Sequence, residues 1–187
     1  MLFYKPVTKH QQGLVMSKAR VSKATLTTVE YPAPNQAVII TFTGCPYACE
    51  SCDGYVCKGD NGSVEMDAIE IFITVANKAE RNRTNLIVLA GEPLSDANIE
   101  TTRRLLAILN PYGFLTAIYT DFEIKDVISK DVNGFEFVKC GAYDPDKAVQ
   151  PSKDEFQMVL PSSNQDFYNN QYKRISNNGI LTFKERL

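Results

Sequence analysis

Apolar runs alternate with stretches of helical periodicity through the middle of the chain. "QAVIITF" (36–42) is a continuous apolar run rich in β-branched residues, which reads as a buried strand ending at Gly44. A helix should begin near Asp67, because Asp67 and Glu70 have capping-box spacing. Met66 and Ile71 are placed as a hydrophobic staple. The stripe Ile69, Phe72, Val75, Ala76 and Ala79 is expected to face the core. "NLIVLA" (85–90) predicts a second strand, and a second helix spans 98–109 with Thr102, Leu105, Leu106 and Leu109 on one face. "NPYG" (110–113) stops that helix. "LTAIYT" (115–120) predicts a third strand, 123–129 a short helix, and "FEFVK" (135–139) a fourth strand. Strand and helix alternating in this way imply an α/β fold with parallel strands and right-handed crossovers.

The flanks are patterned less clearly. Residues 1–30 read as a polar N-terminal arm with a short strand, and 31–187 as a single domain. "FQMVLP" (156–161) suggests one more strand, and the polar tail from Asn169 onward has no clear assignment.

Composition narrows the class of protein. The 187 residues are 44% hydrophobic and 22% charged, with a net charge of −2, which is ordinary for a globular domain. No Lys/Arg block marks a nucleic-acid surface. No run approaches the roughly 18 apolar residues of a membrane span. The start, "MLFYKPVTKHQQG", lacks the apolar core of a signal peptide. These features predict a cytoplasmic protein, where thiols stay reduced.

That expectation changes how the cysteines read. Four of the five lie between Cys45 and Cys57, as Cys45-x3-Cys49-x2-Cys52 and then Cys57. An odd, tightly clustered set favours metal binding over a disulfide framework. The cluster follows the first predicted strand, at the end of an α/β sheet where ligands bind. Three thiolates on one loop suit an iron–sulfur cluster with one iron left open. With Cys57 included, four thiolates could instead close around zinc. Structural zinc sites usually pair two knuckles separated by a dozen or more residues, and no second knuckle follows here. His10 is distant and reads as a surface residue of the arm.

The C-x3-C-x2-C loop resembles that of the radical S-adenosylmethionine (SAM) superfamily. "LAGEPLSDAN" (89–98) resembles the superfamily's "GGEPL" segment, and "AIYTDF" (117–122) a strand ending in "TGY". "FVKCGAYDPD" (137–146) and "PSSNQDFY" (161–168) resemble later segments of the activating enzymes of anaerobic, class III ribonucleotide reductases. The resemblance covers roughly residues 34–168 in the right order. Asp121 stands where the family has glycine after Thr120, and Ala90 where it has the first glycine of "GGEP".

The resemblance implies an incomplete parallel (β/α) barrel. In it, Cys45, Cys49 and Cys52 would hold a 4Fe-4S cluster whose open iron binds SAM. Ser51, Ala90, Gly91, Glu92, Thr120 and Lys139 would lie against the SAM, with the Gly91 backbone near its ammonium. Reductive cleavage of SAM would yield the radical that removes a hydrogen atom from a glycine of the reductase large subunit. A flavodoxin-type or other low-potential donor would supply the electron. A small-molecule radical enzyme, such as a 7-carboxy-7-deazaguanine synthase, is the alternative within the superfamily, and a zinc-binding interaction module the alternative outside it. Asn164 and Gln165 match the family's "SSNQ", or serve as turn residues after Pro161. Cys57 and Cys140 match no cluster position, and Tyr143 and Phe167 read as core or interface.

Overall fold

A computed structural model of the chain describes residues 17–27, 30–31, 36–45, 62–152, 154 and 157–183. Cys49, Ser51, Cys52 and Cys57 lie outside the described residues, as does His10. The fold is mixed α/β, and its centre is parallel. Strands β3 (Val38–Phe42), β5 (Leu86–Gly91), β6 (Leu115–Tyr119) and β7 (Phe137–Cys140) pair in that order, all parallel. Between them run helices α1 (Ala68–Arg81), α2 (Ile99–Leu109) and α3 (Ile124–Ser129). Strands that pair in chain order keep their crossovers on one side. Accordingly, Ile71, Val75 and Ala79 of α1, Leu105, Leu106 and Leu109 of α2, and Val127 of α3 share one core. That core takes in Ile40, Phe42, Ile87, Leu89, Ile118 and Val138 from the same sheet face.

Helix α1 starts as its sequence dictates. Asp67 Oδ1 accepts from the Ile69 and Glu70 amides at 2.8 and 2.9 Å, and Glu70 Oε2 accepts from the Asp67 amide at 2.9 Å. Its buried stripe is Ala68, Ile71, Val75 and Ala79, with Phe72 packed beside it. The expectation for Ile69 fails, since that side chain is 48% exposed. Phasing the stripe from Ile71, the staple residue, puts Ile69 two positions away on the outer face. Helix α2 buries Thr102, Leu105, Leu106 and Leu109 as expected, and Gly113 ends the following turn in the left-handed region.

The parallel centre is extended by antiparallel strands. Within the predicted arm, β1 (Lys18–Val21) lies between β3 and β4 (Val64–Asp67), and β2 (Thr25–Leu26) pairs with β3. On the far side, β9 (Asp166–Asn169) pairs with β7. Strand β8 (Gln157–Val159) falls on the expected "FQMVLP" run and pairs with β10 (Ile180–Thr182). The face away from the helices carries Val88, Ala117 and Phe137. Beside it, Tyr31, Leu160, Phe167, Leu181 and Phe183 form a second cluster that packs against Phe137 and Tyr119. No helix among the described residues is long and apolar enough to cross a membrane.

Candidate functional site

Parallel strands bring their carboxyl ends to one edge, and the residues just past those ends are tied together there. Asn98 Nδ2 donates to the Thr43 carbonyl at 3.2 Å and to the Glu92 carbonyl at 3.0 Å, joining the end of β3 to that of β5. The Glu92 carboxylate spans to β6. Its Oε1 accepts from the Thr120 hydroxyl at 2.7 Å and the Leu94 amide at 3.3 Å, and its Oε2 from the Asp121 amide at 3.2 Å. The Phe122 carbonyl then accepts from the Gly141 amide at 3.0 Å, past the end of β7. Gln165 Nε2 donates to the Gly141 carbonyl and Asn164 Nδ2 to that of Ala142, both at 2.9 Å. Gln165 Oε1 accepts from the Ser162 amide at 3.2 Å. One hydrogen-bonded belt thus runs across all four strand ends, and the "SSNQ" side chains close it as clamps on the loop after β7.

Cys45 emerges on this edge two residues past Thr43. It is half-buried, with its Sγ 4.0 Å from Asp121 Oδ2. Asp121 is held in turn through its amide by Glu92. A thiol at the mouth of the sheet, followed by two more cysteines within seven positions, is a donor set that suits a soft metal or an iron–sulfur cluster. Among the described residues alone, no three potential ligands converge.

The sequence-predicted SAM contacts fall on both faces of the sheet. Glu92 is wholly buried and Thr120 nearly so, and their polar atoms serve each other and neighbouring amides. Gly91 adopts φ +81°, and a Cβ there would lie 2.0 Å from the Phe42 carbonyl oxygen. Close approach of two backbones therefore requires glycine at this position whatever binds nearby. Ala90 and Lys139 lie on the opposite face, which is partly open. There Thr41 pairs with Ala90, Tyr119 with Lys139, and Lys139 with Phe167, giving a row across the carboxyl end of the sheet. Thr41, Ala90, Tyr119 and Lys139 are all half-exposed, whereas Phe167 is buried core. The Lys139 ammonium stands 5.8 Å from the Tyr119 ring centroid.

Sequence reasoning missed Glu30. Its side chain is buried, and its Oε2 accepts the Tyr119 hydroxyl. Burial lifts the Glu30 carboxyl above its ordinary 4.5 despite that bond. Burial, with the Glu30 charge second, keeps the Tyr119 phenol protonated. Burial likewise lifts Glu92, against the Thr120 and Asp121 donors. A carboxyl with a raised folded pKa contributes stability that is fully present below about pH 4.5 and is lost as pH rises through the raised value. Glu30→Gln is therefore expected to gain stability relative to the parent as pH climbs from about 5 towards 8. Urea unfolding at both ends of that range measures the difference. A constant offset between the two proteins contradicts the prediction.

No protein-family model matches the chain, and no curated protein matches it either. Among solved structures it is similar to the crystal structure of QueE from Escherichia coli, with 18% sequence identity and a TM-score of 0.45. The match covers 56% of this chain and 53% of that one. A likeness of this size carries no argument about chemistry.

Proposed function

We propose that this chain is a radical SAM enzyme built on an incomplete (β/α) barrel, and that it activates a glycyl-radical enzyme, the anaerobic ribonucleotide reductase. The observation that carries the reading is Cys45, half-exposed at the carboxyl end of the first parallel strand as the opening residue of Cys45-x3-Cys49-x2-Cys52. Cys45, Cys49 and Cys52 would hold the 4Fe-4S cluster. When bound, the cluster supplies the electron for reductive cleavage of SAM. The chain itself contributes position. Asn98, Glu92 and Gln165 lock the strand ends, so the cysteine loop leaves from a fixed frame. Ala90 is the smallest side chain on the partly buried row. The sequential strand order, with its helices on one side, supports an open barrel that a partner's loop can enter. The reductase large subunit is the proposed partner, and a flavodoxin-type protein the proposed electron donor.

Anaerobically purified protein is expected to be brown and to contain iron and acid-labile sulfide. A colourless protein with one zinc would hand the assignment to the interaction module. Reduced protein, SAM and the reductase large subunit should together give a doublet electron paramagnetic resonance signal on the partner, split by the one α-hydrogen a glycyl carbon retains. Deuterated glycine in the partner should collapse the splitting and place deuterium in 5′-deoxyadenosine. Deuterium arriving instead from a free heterocycle, with no signal on the reductase, would replace the activase with the small-molecule enzyme.

A further inference from the structure

The acid of the "GEP" segment cannot face a ligand. Glu92 is 0% exposed, and both carboxylate oxygens are taken by donors of the fold. The face of the sheet away from the helices, which carries the Thr41–Ala90–Tyr119–Lys139 row, has a different acid. Glu30 reaches that row through Tyr119, the residue next to Ala90 one step beyond the Leu89–Ile118 pair. The following residue, Tyr31, is an anchor. It is buried with its ring 5.0 Å from Phe137 and 5.5 Å from Phe167, which fixes the chain over this face. Tyr119 occupies only Glu30 Oε2. The second oxygen, Oε1, has no donor among the described residues. A carboxyl group with one oxygen fixed and the other without a donor is set up to accept from a cation, and charge-assisted hydrogen bonds of this kind are the strong ones.

We infer that Glu30, oriented by Tyr119, is the carboxylate that binds a cationic group of the ligand lying on the Thr41–Ala90–Tyr119–Lys139 row. The inference rests on the radical SAM reading, in which that ligand is SAM, a molecule carrying an α-ammonium and a sulfonium. Lys139 stands on the same row, its ammonium 5.8 Å from the Tyr119 ring centroid. Burial of the carboxyl raises the value of such a contact, because a desolvated acid gains most from an incoming positive charge.

The experiment is SAM binding to the anaerobically reconstituted full chain, by calorimetry, alongside iron content and thermal melting. Glu30→Gln preserves the side-chain shape and the acceptor for Tyr119, so it should fold and load iron as the parent does, melting at or above the parent near neutral pH. SAM affinity should fall about tenfold or more. Tyr119→Phe removes only the orienting hydroxyl and should give a smaller loss. S-adenosylhomocysteine keeps the ammonium but has a neutral sulfur. Equal loss for both ligands assigns Glu30 to the ammonium, and loss for SAM alone assigns it to the sulfonium. Glu30→Gln protein that is folded, iron-loaded and binds SAM as tightly as the parent overturns the inference while leaving the enzyme reading intact. A parent protein that binds iron but no SAM overturns both.

Discussion

Gly91→Ala is expected to yield protein that fails to fold or melts far below the parent. The new Cβ would sit 2.0 Å from the Phe42 carbonyl oxygen, and that neighbour is backbone rather than a side chain that can swing away. Phe42 and Gly91 form the last pair of the β3–β5 ladder, at the carboxyl edge of the parallel sheet. Relief would require the two strands to separate where Asn98 also joins them. The left-handed φ alone costs an L-residue about 1–2 kcal/mol. Adding the broken ladder and belt places the total in the exceptional class above about 4 kcal/mol. A domain with a typical reserve of about 5–15 kcal/mol loses much of it. Circular dichroism melting of the cluster-free protein tests this without reference to any ligand. A Gly91→Ala melt within a few degrees of the parent would show that the strands can part cheaply. The same geometry means that lost SAM binding in a Gly91 variant says nothing of a ligand contact until folding has been checked.

What the sequence disclosed, and what it hid, divides along the reach of each interaction. The Asp67–Glu70 capping box spans three residues, and the apolar runs of β3, β5 and β6 are continuous, so all of these were legible. Ile69 misled because the expected stripe is phased from it rather than from Ile71, whose burial with Val75 and Ala79 sets the inner face. Strand β9, "DFYN", has no apolar run. It is a strand because β7 offers it an edge and Phe167 a core to enter. The roles of Glu92 and Glu30 were hidden for the same reason. Their partners Thr120 and Tyr119 stand 28 and 89 positions away; the "GEPL" segment marks Glu92 as a ligand contact rather than a brace, and no local pattern marks Glu30. Gln165 carried a motif signal, yet its work as a clamp on Gly141 depends on a residue 24 positions earlier.

Alanine at Cys45, Cys49 or Cys52 is expected to abolish both iron binding and SAM cleavage, whereas alanine at Cys140 should leave both nearly at the parent level. The contrast follows from where thiols can act. Cys45 stands half-exposed at the carboxyl edge, on the frame set by Asn98 and Glu92. Three thiolates are the fewest that hold a cluster with one open iron, so no single loss is tolerated. Cys140 lies on the helix-facing side of β7, buried in the main core. Burial pushes its thiol up to about 12, with Glu123, Asp166 and Glu92 adding to the shift against Lys139. A thiol so placed stays protonated and is neither a ligand nor a nucleophile. Cys57→Ala separates the two metal readings. Retained iron and SAM cleavage leave three cysteines as the full ligand set. If Cys57→Ala loses metal as completely as Cys49→Ala does, the site is closed by four thiolates, with no iron left open for SAM, and zinc becomes the better occupant. Iron, zinc and sulfide analysis of the five variants, with 5′-deoxyadenosine yield under reducing conditions, decides between them.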